Sequence, residues 1–181
     1  LLTLPVESEG NNSLINRRRL GADFERQRER MLRVIREAYA RALQFEIVSD
    51  LIHRILHFQT DNACDLIVHS LLEIAAHLGI QTPVSLSSDL RKDESLKAED
   101  RVLEICRQAG ADHYINPIGG VELYSRARFE EQGIRLNFLK ASITEYRQLR
   151  LPFIPALSIL DVMMFNTVDQ IRSMLGNYDL Q

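Results

Sequence analysis

The sequence predicts an α/β fold, a parallel sheet built from successive helix–glycine–strand units with an N-terminal helical stretch before it. Three observations carry that expectation. Apolar residues recur at three- and four-residue spacing through much of the chain; three of these runs stop at Gly79, Gly110 and Gly133; and a short β-prone run follows each of those glycines. A glycine at such a place supplies the left-handed turn that ends a helix and lets the chain re-enter a sheet. Helices alternating with strands in this way argue for packed crossovers. With 181 residues, 45% hydrophobic and 26% charged, residues 1–181 read as a single α/β domain able to bury a core. The same composition excludes a disordered tail, a collagen-like rod and a disulfide-stapled miniprotein. A net charge of −3 gives no global electrostatic case for nucleic acid.

The elements follow in order. Leu1 to Val6 reads as an apolar strand entered mid-protein, with no initiator Met before it. Glu7 and Glu9 break the run and no basic flank precedes it, so it is not a signal peptide, and no window has the apolar length of a membrane span. Residues 7–22 are polar, a loop with Gly10, Asn11, Asn12, Gly21 and the basic run Arg17-Arg18-Arg19. Phe24 to Ala42 is helical, with Met31, Leu32, Ile35, Ala38, Tyr39 and Ala42 on the apolar face and Arg and Glu residues outside. Phe45 to Phe58 repeats the pattern. Asp61 or Asn62 caps a third helix reaching Leu78, and Gly79 closes it. Strands are expected at Ile80 to Leu86, Asp112 to Asn116 and Ile134 to Leu139. Between them lie helices from Leu96 to Ala109 and Arg126 to Gln132, with a short helical stretch from Val121 to Ser125. Leu149 to Pro155 is a Pro-bearing loop, and Ser158 to Phe165 and Val168 to Leu175 are closing helices.

In open α/β sheets ligands bind beyond the carboxyl ends of strands. That rule selects Ser87-Ser88-Asp89, Asn116-Pro117-Ile118-Gly119-Gly120 and Lys140-Ala141-Ser142. Gly119-Gly120 before a helical stretch reads as an anion cradle of backbone N–H groups or as a tight turn. It is neither a P-loop nor a dinucleotide fingerprint, because the spacings are wrong. Lys97 and Arg101 share a helix face that suits an anion, or simply a solvated surface. Cys106 and His113 invite a nucleophile–base reading, set against a buried thiol and a strand residue. His53, His57, His69 and His77 lie on helices without carboxylate or thiol company, and no cysteine spacing fits zinc. Two thiols in helical patterns fit a reducing cytoplasm. The arginines between Arg17 and Arg36 read as a solvated helix face, or as a contact for a phosphate or a partner. Asp161 breaks the apolar run from Leu157 to Phe165, where a carboxylate is costly unless hydrogen-bonded or paired.

The stretch His113-Tyr114-Ile115-Asn116-Pro117-Ile118-Gly119-Gly120-Val121-Glu122-Leu123-Tyr124 resembles the signature of the WbqC-like family. So do Ser87-Ser88-Asp89-Leu90, the helix from Asp100-Arg101 to Cys106, Leu14-Ile15-Asn16, and the run Phe153 to Asp161. The likeness extends over nearly the whole chain, although family members begin with a strand and a Gln-Pro-rich aromatic loop that this chain lacks. The resemblance implies a cytoplasmic role in bacterial surface-polysaccharide (O-antigen) biosynthesis, as a transferase of glycine or another acyl group onto an amino sugar. It marks Ser88, Asp100, Arg101, Tyr114, Asn116, Tyr124, Tyr146, Gln148, Ser158 and Asp161. Asp161 or Asp100 would be the base or orienting carboxylate, with Arg101 and the Gly119-Gly120 turn holding an anionic group. The partners expected are a sugar-linked or acyl-donor small molecule and a carrier or biosynthetic partner protein. No cofactor or metal is named by any motif. A non-catalytic binding module of a glycan-biosynthesis complex is the alternative, since no clear nucleophile–base pair stands out.

Overall fold

The computed structural model describes residues 2–8 and 14–181. The expectations for Leu1, Glu9, Gly10, Asn11 and Asn12 lie outside the described residues. Seven α-helices are described: α1 (Phe24–Tyr39), α2 (Phe45–Leu56), α3 (Ala63–His77), α4 (Ala98–Gln108), α5 (Arg126–Glu131), α6 (Ile159–Phe165) and α7 (Val168–Leu175). The strands are β1 (His113–Pro117), β2 (Arg135–Ala141) and β3 (Tyr178–Leu180), and 3₁₀ turns span Ile15–Arg17 and Ile118–Leu123. The chain forms two compact units, Leu1–Thr82 with Glu145–Met174, and Pro83–Thr144 with Leu175–Gln181.

The first unit is helical. On α1 the buried Phe24, Met31 and Ile35 lie on one face, and on α2 Phe45, Val48, Leu51 and Ile55 recur at helical spacing. Val48, Leu51, Met163, Met164 and Ile171 are almost fully buried in the core that joins α2, α6 and α7. Burial of each such side chain contributes roughly 1.5–3 kcal/mol. A smaller cluster gathers Leu20, Phe24, Met31, Ala63 and Leu66. Asn62 caps α3, its side-chain oxygen accepting from Cys64 N at 2.8 Å and Asp65 N at 3.3 Å. Gly79 ends the same helix with φ +67°, and Arg172 Nε donates to Leu78 O at 2.7 Å directly beside it. A Cβ on Gly79 would run into that guanidinium.

The second unit carries the sheet, in the order β1-β2-β3. β1 and β2 are parallel, from His113↔Arg135 to Pro117↔Leu139, so their carboxyl ends lie side by side. β3 is antiparallel to β2 over Leu139↔Leu180 to Ala141↔Tyr178. Cys106, Phe129, Ile134, Leu136 and Phe138 form the core beneath the sheet. Gly110 (φ +63°) and Gly133 (φ +72°) end α4 and α5 immediately before β1 and β2.

The structure corrects four expectations. Residues 80–86 follow Gly79 but form no strand. Pro83 has no N–H to offer a ladder, and Val84 is 53% exposed, so neither pairing nor burial favours one. Ser87-Ser88-Asp89 is therefore not a strand tip. Nor is Leu1 to Val6 a strand where described: Val6 forms one isolated bridge with Leu20. Gly119 and Gly120 lie inside a 3₁₀ turn rather than before a helix from Val121 to Ser125. Finally, the sheet is mixed, because the three-residue β3 is too short to leave a periodic signal in the sequence.

Replacing Asn62 by Ala removes the acceptor for two backbone donors at the start of α3. Urea unfolding is expected to show a loss of about 1 kcal/mol, most of it restored in Asn62→Asp. An unchanged midpoint for Asn62→Ala would show that the cap contributes nothing to the fold.

Candidate functional site

Asp161 lies in the first turn of α6. Ser158 starts that helix, accepting from Leu160 N at 3.3 Å through its hydroxyl and from Asp161 N at 2.9 Å through its carbonyl. The neighbouring Met163 and Met164 are core residues, and the same face brings the Asp161 carboxylate inside at 5% exposure. Three donors meet it there. Tyr39 donates its hydroxyl to Oδ2 at 3.0 Å, Tyr146 donates to Oδ1 at 2.6 Å, and Gln148 Nε2 donates to Oδ1 at 3.1 Å. No Lys, Arg or His among the described residues pairs with this carboxylate.

The rest of the arrangement holds those donors in place. Gln148 also clasps the Ile154 backbone, accepting from its N–H at 2.9 Å and donating to its carbonyl at 3.1 Å. The Pro-bearing loop between them is thereby closed at its base. Within it Phe153 stands edge-on to the Tyr146 ring, with centroids 5.2 Å apart. Glu145, Tyr146, Arg147, Leu151, Pro152 and Phe153 line an open groove. Burial, and then the Asp161 hydrogen bond, push both the Tyr39 and the Tyr146 hydroxyls up to about 12. Both therefore stay protonated at neutral pH and donate to the carboxylate.

Of the sequence-selected residues, Asp161, Tyr146, Gln148 and Ser158 come together in the first unit. Tyr39 was missed, although one signal was available. It is a tyrosine among the apolar positions of α1, and a buried hydroxyl needs a partner as much as a buried carboxylate does.

The other selected residues belong to the second unit. Tyr114 stacks on Phe129 at 5.4 Å and meets Tyr124 edge-on at 5.8 Å. Burial, and then Tyr124, push its hydroxyl up to about 12. At the carboxyl end of β1, the Asn116 side chain and the Tyr124 ring lie against the buried Gly120, where any Cβ would overlap the Asn116 amide. Gly119 faces open space. Arg101 folds its guanidinium back onto the chain, donating to Leu96 O at 2.8 Å and Glu94 O at 2.9 Å. It thus ties down the loop before α4. Asp100 pairs with Arg128 at 2.5 Å, and Glu99 pairs with the same guanidinium at 2.6 Å. Nothing in the spacing of the chain points to Arg128 in that role. Ser88 Oγ is exposed and donates to Asp89 Oδ1 at 3.3 Å.

Cys106 is a core thiol pushed up by burial, and His113 Nε2 bonds Asn137 Oδ1 at 2.9 Å. His53 stacks on His57 at 3.8 Å and His69 on Phe58 at 4.1 Å. No cluster of three His, Cys, Asp or Glu that could hold a metal occurs among the described residues. None of the described helices is long and apolar enough to cross a membrane.

The chain matches the WbqC-like protein family over residues 1–173. It is similar to the uncharacterized protein Rv1507c of Mycobacterium tuberculosis, at 28% identity over 169 residues, covering 91% of this chain and 71% of that protein. No solved structure matches the chain.

The tyrosine shifts set an alkaline limit. A hydroxyl raised from 10.0 to about 12 on folding favours the native state below pH 10 and ceases to do so as pH rises through 12. Absorbance titration is expected to show Tyr39 and Tyr146 ionising near pH 12, with urea stability falling across that window. Tyr39→Phe and Tyr146→Phe should each flatten the fall. An undiminished fall in the double variant would dissociate it from the Asp161 network.

Proposed function

The chain belongs to the WbqC-like protein family, and from that premise we propose that it is a transferase moving glycine or another acyl group onto an amino sugar in surface-polysaccharide biosynthesis. One observation carries the chemistry: a buried carboxylate, Asp161, held by neutral donors and by no cation among the described residues, next to an open groove at Tyr146. Buried unpaired charges are costly and concentrate where a fold does chemical work.

The roles follow from the hydrogen bonds. Tyr146 commits its proton to Asp161 and its oxygen lies 3.4 Å from the Gln148 Nε2 donor, so its remaining lone pair is what it offers a ligand. An acceptor amine hydrogen-bonded to that oxygen attacks the acyl carbonyl. The N–C bond forms and the bond from the acyl carbon to its leaving group breaks. The amine proton passes to Tyr146 as the tyrosine proton passes to Asp161, and it then returns to the leaving group. Such general-base assistance contributes on the order of 10²–10⁴-fold. Asp161 is thus the carboxylate of the relay, Gln148 and Tyr39 orient it, and Ser158 sets its helix. Asp100, tied to Arg128, and Arg101, tied to the loop before α4, have structural partners of their own.

A second reading, a non-catalytic binding module for a carrier or biosynthetic partner, draws on the apolar rim of the same loop. Leu151 there is 92% exposed and Ile154 54%.

The test is thermal shift and product formation on the full chain, with nucleotide-linked amino sugars, glycine and activated acyl donors. A ligand of the native state raises the Tm by mass action. Turnover should fall about a hundredfold or more in Asp161→Asn and Tyr146→Phe, with folding retained in Tyr146→Phe. Full turnover in a folded Tyr146→Phe would remove the relay. A Tm unmoved by every compound, alongside co-purification with a glycan enzyme, would establish the binding module instead.

A further inference from the structure

A second cleft lies wholly within the second unit, across the amino-terminal ends of β1 and β2. Asp112 and His113 from the start of β1, Arg126 and Glu130 from α5, and Ile134 to Leu136 around the start of β2 line it. Its volume is about 670 Å³, within the range of small-molecule sites. Arg126 and Glu130, four residues apart, share one face of α5. His113 and Arg135 are register partners across the parallel pair. Ile134 and Leu136, each 5% exposed, supply an apolar base.

The charged side chains that line this cleft are not spent on one another. Arg126, Arg135, Asp112 and Glu130 line one cleft, yet none of them forms an ion pair with any described residue. Arg126 instead lies over the Phe138 ring, its guanidinium carbon 5.6 Å from the centroid, which places a cation in advance of any ligand. His113 is oriented as well. The Asn137 amide nitrogen donates to Gln181 O at 3.2 Å, so its oxygen faces the histidine and accepts from Nε2–H at 2.9 Å. In the neutral ring that leaves Nδ1 as an acceptor.

The two guanidinium groups and the two carboxylates sum to zero. A simple anion would gain from the arginines and lose to the carboxylates, and a simple cation the reverse. A ligand carrying both signs gains from all four. We propose that this cleft binds a small zwitterion of amino-acid type, its carboxylate taken by Arg126 and Arg135 and its ammonium by Glu130 and Asp112. The proposal stands independently of the Asp161 relay, because every lining residue belongs to the second unit.

Calorimetric titration of the full chain with glycine and L-leucine, against acetate and methylamine, tests it. The amino acids are expected to bind, and the singly charged compounds to bind at least tenfold more weakly. Arg126→Gln, Arg135→Gln and Glu130→Gln are surface changes whose folding circular dichroism can confirm. Each should weaken amino-acid binding roughly ten- to hundredfold, the loss of one charge-assisted hydrogen bond. The proposal is overturned if neither amino acid binds, if acetate binds as tightly as they do, or if the three variants bind with unchanged affinity.

Discussion

A carboxylate taken out of water with no counter-ion among the described residues has to be solvated by protein dipoles, and the first unit is organised around that demand. Asp161 receives Tyr39 from the end of α1, and Tyr146 and Gln148 from the segment that leads into the Pro-bearing loop. Each hydrogen bond to a charged acceptor is worth roughly 1.5–3 kcal/mol, which together offset a desolvation penalty of several kcal/mol. The consequence is positional. Residues 15 and 122 places apart in sequence converge on one side chain, and Gln148 extends the same connection to the Ile154 backbone. The groove beside Tyr146 has its edges set by a polar centre as well as by apolar packing.

The second unit handles charge in the opposite way. Arg128 bridges Glu99 and Asp100 at the surface, and Glu99 also accepts from Ser125 N at 2.5 Å, linking the start of α4 to the start of α5. Exposed pairs of this kind contribute about 0–1 kcal/mol each. The stability of that unit must therefore come from Phe129, Phe138 and their neighbours beneath the sheet. The two aspartates in question, Asp100 and Asp161, differ in burial and in partner. Asp100 is a partly exposed ion-pair member, whereas Asp161 is buried and unpaired by any described cation.

Much of the local structure was legible because its causes are local. The apolar spacing on α1 and α2, the cap at Asn62 and the left-handed glycines at 79, 110 and 133 depend on neighbours within a turn or two. What failed depended on partners far away in sequence. Ile80 to Leu86 has the composition of a strand, but a strand exists only if another offers a register, and Pro83 weakens the offer. β3 is a strand for the reverse reason: three unremarkable residues find Leu139, Lys140 and Ala141. The site follows the same division. Asp161 was conspicuous as a violation of its apolar run, and Tyr146 and Gln148 entered through the family resemblance. Tyr39 looked like any other residue of an apolar helix face until its hydroxyl was seen to end on a carboxylate.

The geometry at Asp161 also narrows what the groove can receive. Of the two tyrosines, Tyr146 holds the shorter hydrogen bond, 2.6 Å against 3.0 Å, and its oxygen also lies 3.4 Å from Gln148 Nε2. Its proton points inward, toward the carboxylate. In the proposed transfer an incoming group would meet its remaining lone-pair capacity, backed at one hydrogen bond's remove by a negative charge. An oxyanion gains nothing there, since it would need a donor that Tyr146 has already committed. An amine or an ammonium is matched, both by the oxygen and by the charge behind it. If the proposed acyl transfer takes place here, its acceptor side fits this position better than the donor's carbonyl or phosphate, whose developing charge calls for N–H groups or guanidinium side chains. Under the proposed transfer, a carboxylate that meets only neutral donors among the described residues would favour the nucleophile.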